Sequence, residues 1–179
     1  THYLRHGQYE GRGFTLPEID LLNEDGFKSG RETILVVSHE ASRTGAPLLS
    51  LGLVQANVDR YNVVALLLGE GPLRDNFQKA GASVVMSPRM KGNPVVTEAV
   101  IRRLHERFNL KFALVNSIES RAVLPALGQH CIPAVALLHE FAAYTRPATA
   151  FRDAFFWSSE VVFSTRVTLE NAHAELPDL

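Results

Sequence analysis

The sequence predicts a doubly wound α/β fold: a mostly parallel sheet with helices on both faces. Three observations predict it. From Ile34 onward, short runs of β-forming residues alternate with stretches of helical period. The runs are apolar throughout, which is the composition of strands buried on both sides. Polar and ionisable residues gather where the runs end and are sparser where they begin. In open α/β sheets ligands bind outside the carboxyl ends of the strands, so this asymmetry is also the main functional signal.

Residues 1–31, "THYLRHGQYEGRGFTLPEIDLLNEDGFKSGR", hold no sustained period and read as an irregular arm. Leu16, Ile19, Leu21, Leu22 and Phe27 are the groups that would dock it onto the body. Ile34–Val37 is the first strand of the alternation. A helix follows from Ala46 to about Asp59, with Pro47 in its first turn, where a missing N–H costs nothing. Val63–Leu68 is the second strand. "GEGPLRDNFQKAG" is a turn and a short helix stopped by Gly81. Ser83–Met86 is the third strand.

After the connection "SPRMKGNP", a helix from about Val95 to Phe108 repeats Val96, Val100, Leu104 and Phe108 on one face. Arg102, Arg103 and Arg107 fall on its solvated side. Phe112–Val115 is the fourth strand, and a helix from about Glu119 to Cys131 follows. Ala134–Leu138 is the fifth strand. Pro147 opens another helix, with Phe151 and Phe155 stacked at i, i+4. Val161–Phe163 is the sixth strand, and "TRVTLENAHAEL" begins a last helix.

Composition narrows the function classes. The chain has 179 residues, enough for one well-packed domain. A formal net charge of -1 leaves no broad basic field for nucleic acid or anionic lipid. The single cysteine, Cys131, sits in an apolar stretch and supports neither an internal disulfide nor a cysteine zinc site. No signal peptide or membrane-spanning run is present in the text. These features fit a reducing, cytoplasmic setting.

The strand exits hold the candidate chemistry. "SRTGAP" follows the first strand. Gly45 and Ala46 there would let backbone approach a phosphate at a helix N-terminus, with Arg43 adding a charge-assisted bond. The alternative is an ordinary strand-to-helix turn with Thr44 as N-cap. The loop lacks the G-K-[ST] ending of a Walker loop and the G-x-G-x-x-G dinucleotide fingerprint; "GEGPLR" reads as a turn.

His139 and Glu140 directly follow the fifth strand, and His39 and Glu40 repeat the dipeptide after the first. A histidine so placed serves as general acid or base, as a donor to a sugar hydroxyl, or simply as a capped strand end. Both pairs should leave the same sheet edge. Their spacing matches no recognised metal site, so no metal is assigned. Asn116 and Ser117 are neutral polar groups suited to a hydroxyl-rich ligand, or else helix caps. Tyr144 and Arg146 are either a ligand platform or loop residues packed on the arm. No G-x-S-x-G nucleophile elbow is present, which argues against a self-contained hydrolase.

"ETILVVSHEASRTGAPLLSLGL", "VNSIES" and "VALLHEFAAY", in this order, resemble the N-terminal half of bacterial GT-B glycosyltransferases of family 4 (glycosyl transferase group 1). The resemblance spans about Glu32 to Leu179. "HYLRHGQYEGR" is similar to the end of a short module found ahead of bacterial glycosyltransferase domains, so the chain is expected to be a fragment of a longer parent. The resemblance implies a Rossmann-like domain over residues 32–179, one half of a GT-B fold, preceded by the module's tail over 1–31. It implies that Thr44, Gly45 and Ala46, with Arg43 beside them, face the diphosphate of a nucleoside-diphosphate sugar. It implies that His139 lies near the transferred sugar as the catalytic residue. His39, Glu40, Asn116, Ser117, Glu140 and Tyr144 would shape the acceptor side.

The implied chemistry is sugar transfer with retention of configuration, without a bound metal or a tightly held cofactor. The implied partners are the nucleotide-sugar, a glycan or cell-surface acceptor and a C-terminal nucleotide-binding domain. The parent would work in polysaccharide biosynthesis in the cytoplasm, with peripheral association at the inner face of the membrane. The chain departs from the family in having no second set of α/β units. The family's E-x7-E spacing occurs at Glu10/Glu18, Glu24/Glu32, Glu32/Glu40 and Glu98/Glu106, none of them in a second domain. The fragment alone is therefore expected to be inactive. The alternative is a non-enzymatic Rossmann-like module that binds a nucleotide or glycan at the same edge.

Overall fold

The computed structural model describes residues 21–22 and 27–178. The strands are β1 (Leu21–Leu22), β2 (Thr33–Ser38), β3 (Asn62–Leu67), β4 (Ser83–Met86), β5 (Leu110–Asn116), β6 (Ala134–Leu138) and β7 (Glu160–Phe163). The helices are α1 (Gly45–Asn57), α2 (Arg74–Lys79), α3 (Pro94–Phe108), α4 (Leu124–Gln129), α5 (Ala150–Trp157) and α6 (Arg166–Glu175). The sheet order is β1-β4-β3-β2-β5-β6-β7. Strands β2 to β7 run parallel, and β1 pairs antiparallel with β4 at one edge. The fold is doubly wound α/β, as the alternation predicts.

The chain winds outward from β2 through β3 to β4, then crosses back to lay β5 on the other side of β2. Winding reverses there, so the gap between β2 and β5 is the topological switch point. Right-handed crossovers then place the helices on opposite faces. Ile34, Val36, Val63, Ala65 and Leu67 pack on one face with Leu51 and Val54 of α1 and Phe77 of α2. Leu35, Val37, Val64, Leu66 and Val115 pack on the other with residues of α3, α4, α5 and α6. Burying both faces of β2 and β3 explains why every residue in these two strands is buried.

The predicted cover on both faces is complete only there. Among the described residues, no helix lies over β6 and β7 on the α1 side. Val135 and Leu137 are half-buried and Val162 is 44% exposed. Topology is the reason, because each crossover after β5 lies on the opposite face.

Other elements differ from the sequence reading at their ends. The expected continuous helix from Glu119 is a 3-10 turn at Ile118–Val123 followed by the shorter α4, with Pro125 in the first turn of α4. Pro is suited to a first turn and not to a helix interior, which divides the segment. Cys131, placed by the sequence in an apolar setting, is exposed in the left-handed turn after α4, with φ 54°. The helix expected at Pro147 begins at Ala150, after a turn closed by the Ala150 N–H on the Pro147 carbonyl at 2.9 Å. Phe151 and Phe155 do not stack on each other; both lie against Phe163, at 6.3 and 6.2 Å between ring centroids.

Of the predicted docking residues, Leu16 and Ile19 lie outside the described residues, while Leu21 and Leu22 form β1. Phe27 meets Phe108 edge-on at 5.1 Å. Asn62 ties down the segment that follows. Its Oδ1 accepts from the Lys28 N–H at 2.8 Å, and its Nδ2 donates to the Lys28 and Arg31 carbonyls at 3.1 and 3.2 Å.

Candidate functional site

Ser38 of β2, Asn116 of β5 and Leu137 of β6 are register partners in a row. The segments after them therefore leave the sheet side by side at the switch point. This is how the fold gathers the residues around His39, the Gly45 turn, Ser117 and His139 from three connections in the chain.

The turn into α1 starts with Glu40. One of its carboxylate oxygens accepts from the Ser42 hydroxyl at 2.5 Å, and Ser42 shares a hydrogen bond of 2.8 Å with the Thr44 hydroxyl. Thr44 is the N-cap by position, yet its side chain makes no capping bond. The first turn of α1 also carries no acidic residue. Amide groups at this helix N-terminus are thus left without a side-chain acceptor, and they carry the helix's partial positive charge. Arg43, Thr44 and Gly45 are exposed, and Ala46 is half-buried. A methyl group added at Gly45 would meet nothing within 4 Å. The protein interior does not require glycine there, and the space above it is open.

Asn116 joins this turn to the β6 exit. It is fully buried. Its Nδ2 donates to the Ala46 carbonyl at 2.6 Å and to the Ser50 hydroxyl at 2.8 Å. Its Oδ1 lies 2.6 Å from Nε2 of His139. Asn116, expected among the acceptor-side residues, is an internal bridge between the α1 turn and the β6 exit. Ser50 was not singled out from the sequence. Its spacing of one helical turn from Ala46 is the signal that would have found it.

Glu140 organises the neighbouring loop. Its oxygens accept from the Ser117 hydroxyl at 2.5 Å, the Ile118 N–H at 3.2 Å and the His139 N–H at 3.0 Å. Burial pushes its carboxyl up. The Ser117 hydroxyl and the backbone amides of His139, Ile118 and Glu140 outweigh that, holding it below the ordinary carboxylate range. Ser117 is buried with φ 74°, a backbone region that non-glycine residues rarely occupy. Bonds from both its hydroxyl and its N–H, the latter to the Leu137 carbonyl at 2.8 Å, hold it there.

His39 lies 3.7 Å from Glu40 through Nε2, with its side chain 17% exposed. Its Nδ1 is buried and has no hydrogen-bond partner among the described residues. Tyr144 stands apart, 84% exposed on the 3-10 turn Ala142–Tyr144, with its ring 6.3 Å from Phe141. Arg146 bonds the Ala143 and Thr145 carbonyls of its own loop. Among the described residues, no group of three or more His, Cys, Asp or Glu side chains is placed to hold a metal ion.

Two glycines read as an ordinary turn belong to the site's scaffold. A Cβ at Gly71 would fall 2.2 Å from the Ala41 carbonyl carbon and oxygen, and one at Gly69 would fall 2.9 Å from Cβ of Glu40. The β3 exit therefore lies directly against the β2 exit, with backbone touching backbone. "GEGP" carried that signal in its paired glycines. A hollow of about 570 Å³ lined by Lys91, Glu119, Arg121, Asp153 and Trp157 opens on the α3–α5 side. His39, the Gly45 turn and His139 do not line it.

No protein-family model matches the chain, and no curated protein matches it. Solved structures do. The chain is similar to Alr3699/HepE of Anabaena, solved in complex with UDP and glucose, at TM-score 0.66 and 15% identity over 81% of this chain and 41% of that one. It is also similar to UGT2 of Phytolacca americana, complexed with UDP-2fluoro-glucose and pterostilbene, at TM-score 0.45 and 11% identity, over 65% of this chain and 32% of that one. A mitochondrial 2-enoyl thioester reductase heterodimer of Candida tropicalis matches at TM-score 0.44 and 11% identity, over 85% of this chain and 45% of that one. The likeness to HepE shows the fold. The chain spans about two fifths of the length of HepE.

Proposed function

We propose that this chain is the acceptor-side, N-terminal domain of a retaining glycosyltransferase. Its parent would move a sugar from a nucleoside-diphosphate donor to a glycan or cell-surface acceptor. One observation carries the reading: Asn116 bonds both the Ala46 carbonyl and the His139 ring, each at 2.6 Å. The two motifs on which the family resemblance rests most firmly thereby become one constellation at the switch point. The fold likeness to a protein solved with UDP and glucose adds support.

The roles follow from the chemistry available. The open first turn of α1 offers N–H groups and Arg43 a cation toward the donor's diphosphate. His139 lies beside that turn, where the transferred sugar would sit. His39 and Glu40 border the same turn on the acceptor side, and Ser117 and Glu140 set the loop that carries His139. Tyr144, exposed at the rim, would meet the acceptor last. A C-terminal nucleotide-binding domain would close the cleft and hold most of the nucleotide. No metal is called on. The parent's place would be the cytoplasm or the inner face of a membrane; among the described residues, no helix is long and apolar enough to cross one.

The test is sugar transfer by the natural protein that contains this chain, assayed with a panel of nucleoside-diphosphate sugars and glycan acceptors. Transfer with retained anomeric configuration is the expected result. Nucleotide or glycan binding at this edge with no turnover would replace the proposal with a binding module.

A further inference from the structure

We infer that Asn116 is a positioning residue that fixes the ring of His139 as the Nε2–H form and couples it to the first turn of α1. The inference rests on the proposed function only in giving His139 a part in the reaction; the hydrogen-bond chemistry stands apart from it.

The orientation of the Asn116 amide follows from its neighbours. The Ala46 carbonyl can only accept, so the atom 2.6 Å from it must be the amide nitrogen. The amide oxygen then faces Nε2 of His139 at 2.6 Å, and an oxygen there can only accept. His139 must therefore donate from Nε2. Among the described residues no protein group hydrogen-bonds its Nδ1. In the neutral ring Nδ1 is thus the nitrogen with a lone pair, free to accept from a hydroxyl or to take up a proton.

Burial makes the arrangement rigid. Asn116 is fully buried, and its amide group has a partner for both Nδ2 hydrogens and for its oxygen. Ser50 accepts one of those hydrogens and itself donates to the Ala46 carbonyl at 3.2 Å, closing a small network. Rotating the amide would place oxygen against oxygen at Ala46. A movement of the α1 turn would accordingly reach His139 through a single side chain.

The experiment is nitrogen-15 NMR of the histidine rings in the whole chain, at a pH where His139 is neutral. The His139 signals are assigned by their loss in His139→Gln. Two substitutions separate the roles. Asn116→Asp keeps an oxygen for Nε2–H and should preserve the tautomer in the folded variant, at a cost in stability because its other oxygen meets the Ala46 carbonyl. Asn116→Leu keeps the branch at Cγ and offers no acceptor, so the ring should become a mixture of both tautomers. The wild-type chain reporting Nδ1–H would overturn the inference even if the leucine variant fails to fold. So would a folded leucine variant with an unchanged tautomer. In the natural protein, Asn116→Leu should lower kcat by about tenfold or more with a smaller change in KM. If the natural protein transfers no sugar while the wild-type ring is Nε2–H, the proposed function fails and the positioning role stands.

Discussion

The Glu140 carboxylate accepts the Ser117 hydroxyl at 2.5 Å, joining the exits of β6 and β5 while holding Ser117 at φ 74°. Hydrogen bonds outweigh burial and hold its carboxyl below the ordinary value of 4.5. A depressed carboxylate stabilises the fold fully above the unfolded value, and the contribution is lost as pH falls through the folded one. Glu140→Gln should therefore melt below the wild type at neutral pH by about 1–2 kcal/mol, a magnitude reduced by its partial exposure. The gap should narrow steadily below about pH 4.5. Thermal melts across pH 3–7 check this, and a gap that widens on acidification would contradict it.

The glycines divide into two kinds. Gly71→Ala drives a methyl group into the Ala41 carbonyl and should cost about 3 kcal/mol. Gly45→Ala meets open space and should leave stability unchanged or slightly raised. If the Gly45 turn faces a diphosphate, the same variant should weaken UDP binding by about tenfold (~1.4 kcal/mol). Urea denaturation together with UDP titration separates the two effects.

His139→Ala in the natural protein should lower turnover about 10²- to 10⁴-fold. The fold should survive, because His139 is half-buried and the main loss is one hydrogen bond, which leaves the buried Asn116 Oδ1 unpaired at a cost of about 1–3 kcal/mol. Steady-state kinetics beside a melting curve decide it. Near-normal turnover removes His139 from the mechanism.

Asn62→Ala should free the segment around Lys28 and Arg31. Three side-chain bonds are lost at a part-buried site, so about 1–2 kcal/mol is expected. Hydrogen exchange at the Lys28 amide should accelerate more than at the central strands.

Strand text such as "ILVV" and "VVALLL" was legible because strands buried on both faces need unbroken apolar runs. The Ser83–Met86 and Ala134–Leu138 boundaries agree with the sequence reading residue for residue. Less legible was anything set by contact between distant segments. Nothing local to Leu21–Leu22 announces pairing with β4, since two residues carry no period. Asn116 reads as a polar strand end, and only the neighbouring α1 turn shows that it points inward. Glu140 reads like His139, as one more ionisable group after a strand. Three donors converging on it from two loops make it a support for that loop. Pattern locates the edge where the groups gather, while the division of roles among them depends on register across β2, β5 and β6.

Cys131 is the only cysteine in the chain, and its exposed turn lies just ahead of β6, at the end of the sheet opposite the His139 exit. The length of β6 separates the two, roughly 15 Å at the ordinary rise per residue. A maleimide reagent therefore has one attachment point in this chain, in a hollow that Trp157 also lines and away from the polar edge. The domain can be tethered to a sensor surface there, or given a distance reporter, with its candidate ligand edge facing outward and chemically untouched.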